Sequence, residues 1–66
     1  MQLIKFNKKI YSLEAIKKAI EEFKNLAEFQ IKDSDNYIEV EIDKIDSEYK
    51  GILKDEFNNF VLGMMS

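Results

Sequence analysis

The 66-residue chain contains no cysteine, no proline and no histidine. The lack of cysteine excludes disulfides, and the lack of both cysteine and histidine removes the usual ligands of zinc. A catalytic site would have to rely on carboxylates, lysine, serine or tyrosine, which disfavours an enzyme. A chain this short buries only about 60% of the surface that its unfolded form exposes, so its stability should be marginal. Self-association or a protein partner is the remaining way to add to it.

Arginine is also missing, because all ten cationic side chains are lysines. The formal net charge is −3 and the sequence pI is near 4.9. Nucleic-acid-binding domains usually carry a basic stripe, and arginine is the side chain best suited to bidentate contacts with phosphate or guanine. The composition therefore predicts no nucleic-acid partner.

Long apolar runs are absent too. Lys5, Lys8 and Lys9 interrupt the beginning of the chain, so no signal-peptide core forms there, and no stretch approaches the ~20 apolar residues that span a bilayer. The chain has 2 glycines, 45% hydrophobic residues and no low-complexity segment, and this composition predicts one small folded domain over residues 1–66. We expect a cytoplasmic protein that does not enter a membrane.

The stretch from Ile10 to Phe23 gives the clearest structural signal. Ser12 is a good helix N-cap, and the apolar side chains of Tyr11 and Ile16 flank it as a hydrophobic staple. Apolar residues then recur at helical spacing and form one buried stripe: Leu13, Ile16, Ile20 and Phe23. The pattern predicts a helix from Leu13 to about Asn25.

Three segments alternate with a period of two, which is typical of strands. They are residues 2–6, 26–32 and 37–43. In the first segment Ile4 and Phe6 face inward while Leu3 and Lys5 face outward. A polar loop over residues 33–36 joins the other two segments into a hairpin. This loop lacks the glycine and the distal glutamate of a calcium loop, so no metal site is expected.

A four-residue hairpin loop fixes a register. Ile31 then lies opposite Ile38 and Phe29 opposite Val40, so that each apolar side chain meets another. On the outer face the same register places Glu28 opposite Glu41, and like charges in that arrangement are mildly destabilising.

A second helix is predicted from about Glu48 to Leu62, with Asp46 or Ser47 as its cap. Gly51 either lies within its first turns or delays its start, and Gly63 suits the left-handed position after its last turn. Its apolar face comprises Tyr49, Ile52, Leu53, Phe57, Phe60 and Val61.

The order of elements predicts an α+β fold, a split β-α-β-β-α two-layer sandwich with an antiparallel or mixed sheet. The third strand lies between the first and the second (order 1-3-2), and both helices cover one face. This is a ferredoxin-like arrangement without its last strand. The first strand therefore has no neighbour on its outer edge, where unpaired backbone groups are a template for another strand.

Two segments resemble a known family. FNKKIYSLEAIKKAIEEF (6–23) is similar to the beginning of HxsD proteins of the His-Xaa-Ser repeat system, and DEFNNFVLG (55–63) resembles the closing helix of that family. The resemblance implies a small accessory protein in a peptide-maturation cluster, alongside radical SAM proteins that modify a precursor carrying His-Xaa-Ser repeats. It supplies no catalytic residue and no cofactor.

We therefore predict a non-catalytic binding module with a protein or peptide partner. The alternative is a structural homo-oligomer, such as a homodimer in which open sheet faces or first-strand edges meet. The acidic outer face would suit a cationic or histidine-bearing partner. The candidate partner-binding residues on the first-strand edge and the open sheet face are Leu3, Lys5, Glu28, Tyr37, Glu39 and Glu41.

Overall fold

The computed structural model describes residues 1–65 and confirms the predicted order of elements. Strand β3 lies in the centre and pairs antiparallel with both β1 and β2, so the sheet order is β1-β3-β2. The predicted domain includes Ser66, which lies outside the described residues. The elements are β1 (Gln2–Asn7), α1 (Leu13–Phe23), β2 (Glu28–Asp33), β3 (Tyr37–Asp43), a short 3-10 helix (Ser47–Tyr49) and α2 (Leu53–Met65).

A single core lies between the sheet and the two helices. Apolar side chains from one face of the sheet and from both helices form one buried cluster, which places the helices on the same face. Phe57 of α2 is fully buried near its centre. The ring of Phe57 contacts those of Phe29, Phe23 and Phe6, with centroids at 5.1, 5.7 and 6.3 Å. Such aromatic contacts add to the free energy gained by burial alone.

Helix α1 begins as its sequence predicts. The Ser12 hydroxyl oxygen accepts a hydrogen bond from the Ala15 N–H at 3.1 Å, which confirms the N-cap. Ile16 is fully buried, and the rest of the predicted stripe packs at the margin of the core. The helix ends at Phe23, two residues before the predicted end, because the Leu26 N–H bonds to the Phe23 carbonyl and turns the chain.

The predicted hairpin register was wrong by two residues. Ile31 lies opposite Val40, and Phe29 lies opposite Ile42. The cause is a tighter loop, since the Ser34 N–H donates to the Tyr37 carbonyl at 3.0 Å and pairing continues past Asp33. A shift of two leaves every side chain on its predicted face, because side chains alternate with a period of two.

The second helix departs from the prediction at both ends. The Asp46 carboxylate does cap a helical turn, since it accepts from the Glu48 N–H at 3.0 Å, but that turn is the short 3-10 helix. Helix α2 begins only at Leu53, beyond Gly51, and Ile52 is 50% exposed instead of facing the core. The helix continues through Gly63 to Met65, so the prediction that Gly63 ends it was wrong. The left-handed residue is Lys44, at φ 49°.

Candidate functional site

The hydrogen-bond pattern of β1 determines which of its backbone groups are free. The Lys8 N–H donates to the Asn36 carbonyl at 3.1 Å, which continues the β1–β3 pairing by one residue. Bonded and non-bonded pairs alternate along an antiparallel ladder, so the even-numbered residues of β1 bond to β3. Leu3 and Lys5 therefore direct their backbone N–H and C=O groups away from the sheet, toward the open edge.

The hairpin gives the same result independently. The Tyr37 carbonyl accepts from Ser34, so the odd-numbered residues of β3 bond on the β2 side. Successive residues of a central strand bond alternately to its two neighbours, so the even-numbered residues of β3 bond to β1. Their partners in β1 are Gln2, Ile4 and Phe6. We call the outer side of residues 2–7, with its free groups at Leu3 and Lys5, the β1 edge.

The β1 edge ends at Asn7. The carbonyl of Asn7 already accepts from the N–H groups of Ile10 and Tyr11, at 3.0 and 2.9 Å. The side chain of Asn7 accepts from the Lys9 N–H at 2.8 Å. This turn leads the chain away into α1, so the free part of the β1 edge is short and is centred on Ile4.

The open face of the sheet brings five of the six candidate residues close together. Leu3 lies opposite Glu41, and Lys5 lies opposite Glu39. The Lys5 ammonium also lies 5.7 Å from the centre of the Tyr37 ring. Glu28, the sixth candidate, is on the same face but at the far strand, opposite Asp43 and not Glu41 as predicted.

Lysines neutralise much of the predicted acidic surface. Glu39 pairs with Lys5 at 4.0 Å, and Glu41 pairs with Lys32 at 3.1 Å. Glu28 pairs with Lys44 at 3.2 Å. The pairing of Lys32 with a carboxylate was not predicted, because the four-residue hairpin loop would have placed Lys32 opposite Tyr37. Attraction of this face for a cationic partner is correspondingly weak, and exposed pairs of this kind are each worth about 0–1 kcal/mol.

The two edges of the sheet differ in character. The β2 edge carries charged side chains at both ends and in its outward row, including Glu28, Lys32 and Asp33, and an ion pair ties Asp33 to Lys8. Charged side chains are a usual means of blunting an exposed edge. Lys5 is the one charged residue of β1. The β1 edge therefore carries fewer of the charges that oppose strand pairing than the β2 edge does.

An open groove of about 490 Å³ lies beside the first residues of β1. Gln2, which helps to line it, has a buried side-chain oxygen without a hydrogen-bond partner among residues 1–65. Lys54 and Asp55 in the first turn of α2 line the same groove, so helix α2 starts near the beginning of β1. At the other end of α2, the Met65 sulfur accepts from the Ser12 hydroxyl at 3.7 Å. The groove is lined by Met1, Gln2, Leu3, Lys50, Gly51, Lys54 and Asp55.

The described residues show neither a membrane-spanning helix nor a metal cluster. Each helix in residues 1–65 is too short or too polar to cross a bilayer. Within the same residues, no three potential metal-ligating side chains come together.

A family model described as His-Xaa-Ser system protein HxsD matches residues 6–65, nearly the whole chain. No curated protein and no solved structure matches the chain significantly. The family match covers both segments that carry the sequence resemblance.

Proposed function

The chain belongs to the HxsD family of His-Xaa-Ser system proteins, and we propose that it serves that system as a small cytoplasmic binding protein without catalytic activity. Its partner is an extended segment of a precursor peptide that carries His-Xaa-Ser repeats, or of an enzyme that modifies this peptide. The segment adds to the sheet as a fourth strand at the β1 edge.

The free backbone groups of β1 carry this proposal. Leu3 and Lys5 offer two N–H donors and two C=O acceptors in the spacing that an added antiparallel strand requires. In strand addition, main-chain hydrogen bonds supply affinity and neighbouring side chains supply selectivity. Each such bond contributes about 0.5–1.5 kcal/mol net, so contacts in the adjoining groove must add to them.

The arrangement of the carboxylates supports a non-catalytic role. General acid–base catalysis uses two titratable groups in a sheltered pocket. Glu39 and Glu41 instead lie on an open sheet face, and each already pairs with a lysine. Such an arrangement lacks the sheltered pair of titratable groups that a general acid–base site needs.

A structural homo-oligomer is the alternative function. Two apolar side chains on the open face favour it, since Leu3 is 41% and Tyr37 is 44% exposed. Light scattering separates the two functions when it is combined with a binding assay. A stable oligomer that binds neither the peptide nor the enzyme would support the alternative, whereas a monomer leaves the β1 edge available.

An amide NMR titration tests the proposed function directly. The probe is a synthetic peptide of consecutive His-Xaa-Ser repeats, added to the isotope-labelled protein. We expect the chemical-shift changes to concentrate in residues 2–7 and in the groove at the start of α2. The matched control is the same peptide with all of its backbone nitrogens methylated, which removes the donors on both of its edges and should suppress the shifts.

Two results would contradict direct peptide binding at this edge. One is a spectrum that stays unchanged in a large excess of the peptide. The other is a set of shifts confined to β2 and the exposed side of α1. In the first case the same titration is repeated with the modifying enzyme, which is the other possible source of an extended segment.

A further inference from the structure

We infer that the β1 edge also pairs with the β1 edge of a second copy of this chain, antiparallel about a two-fold axis at Ile4. The pairing would join two sheets into one of six strands. The same backbone groups would then serve both partners, so the dimer and the peptide complex exclude each other. Only this exclusion rests on the proposed function, and the dimer stands independently of it.

The hydrogen-bond pattern of β1 fits this pairing. With the axis at Ile4, Leu3 of each copy lies opposite Lys5 of the other. These are the two residues whose N–H and C=O groups face the edge, so each group meets its complement and four bonds form. A register shifted by one residue would set free groups against groups already bonded to β3.

Several registers keep this hydrogen-bond pattern, and the side chains and the already bonded Asn7 carbonyl determine which of them is favoured. An axis at Lys5 would place the two Lys5 ammonium groups opposite each other, which is destabilising. It would also require the Asn7 carbonyl, which already accepts two hydrogen bonds. An axis at Leu3 would leave Lys5 to pair with the chain start at Met1. The axis at Ile4 alone uses all four free groups of Leu3 and Lys5 and opposes no like charges.

The open face is complementary to itself in this register. Across the junction the outward side chains would run Glu41 and Leu3 from one copy, then Lys5 and Glu39 from the other. Each Lys5 would lie between the Glu39 of its own copy and, beyond Leu3, the Glu41 of the second copy. The lysine stem would also cover Leu3, because long cationic side chains pack their methylenes on apolar surface. The exposed leucine thereby gains a partner.

The helix side of the junction carries two exposed apolar side chains beside polar ones. Lys54 lines the groove beside Gln2 and Leu3, so its flank of α2 faces the β1 edge. Asn58, Leu62 and Met65 follow Lys54 at helical spacing and continue that flank. Leu62 and Met65 are both exposed. The two-fold axis would bring the corresponding flanks of two α2 helices to face each other, which would cover these side chains.

Cysteine cross-linking tests the register, because the natural chain has no cysteine. The Leu3→Cys and Lys5→Cys variants are oxidised under mild conditions, separately and as an equimolar mixture, and disulfide-linked dimers are identified by mass. Opposite residues have Cβ atoms about 4.5–5.5 Å apart, whereas diagonal ones are about 7–8 Å apart. We expect the yield of the mixed dimer, which links position 3 of one copy to position 5 of the other, to exceed the yield from random pairing several-fold.

Each result has a separate meaning. Mixed dimers at the random proportion, or a wild-type chain that sediments as a monomer at every concentration, would overturn the dimer. Adding the His-Xaa-Ser repeat peptide should lower the mixed-dimer yield, and the N-methylated peptide should not. Peptide-induced shifts with an unchanged yield would overturn the exclusion. Mixed dimers without any peptide binding would refute the proposed function and leave the dimer intact.

Discussion

The Phe57→Ala variant is expected to lose about 3–5 kcal/mol of unfolding free energy, the usual cost of truncating a buried phenylalanine. Phe57 is fully buried, and its ring contacts rings from β1, α1 and β2. A domain of this length has a total stability of roughly 3–10 kcal/mol, so the variant should be largely unfolded or close to it. Urea denaturation followed by circular dichroism measures the loss.

Phe60→Ala is the matched control for this prediction. Phe60 lies on the same helix but is only partly buried, and within residues 1–65 its ring contacts that of Phe23 alone, at 5.6 Å. Its truncation removes less buried surface and leaves a shallower gap, so it should cost clearly less. Equal losses for the two variants would show that Phe57 is not the centre of the core.

A proline at position 5 should weaken peptide binding by about tenfold or more while the protein stays folded. The N–H of Lys5 faces the open edge, so Lys5→Pro removes a donor that the β1–β3 ladder does not use. The loss of one hydrogen bond, about 0.5–1.5 kcal/mol, adds to the steric effect of the ring on the incoming strand. Fluorescence anisotropy with the labelled His-Xaa-Ser repeat peptide measures the affinity.

Two further substitutions distinguish the contribution of backbone N–H groups to binding and folding from that of the Lys5 side chain. Lys5→Thr removes the charge but keeps the N–H, so binding should change little. Ile4→Pro removes an N–H that bonds to β3 and should unfold the sheet. Full affinity in a folded Lys5→Pro variant would eliminate strand addition at this position.

Sequence reasoning succeeded where the determinants are local. Ser12 and the apolar spacing of α1 act within a few residues, so the helix start could be read directly. Alternation also placed the candidate residues on one sheet face. Gly63 shows the opposite case, because tertiary packing of α2, including the contact between Met65 and Ser12, outweighs the weak preference of glycine for helix ends.

The errors at the candidate site share one cause. A register shift of two residues leaves the alternation unchanged, so the pattern of apolar side chains could not reveal it. The ion pair of Glu41 with Lys32 depends on that register. The prediction therefore overestimated the unpaired negative charge on the open face. The direction of the β1 backbone groups was likewise hidden, since it follows from bonds such as Lys8 to Asn36 and not from side-chain type.

Amide hydrogen exchange along β1 tests the central claim most directly. In dilute monomeric protein, the amides of Ile4 and Phe6 should exchange slowly because they bond to β3, and those of Leu3 and Lys5 should exchange quickly. Saturation with the His-Xaa-Ser repeat peptide should slow Leu3 and Lys5 by at least about tenfold, as a new hydrogen bond requires. Exchange at these two amides that is slow already in the free monomer, or unchanged by bound peptide, would contradict recognition at the β1 edge.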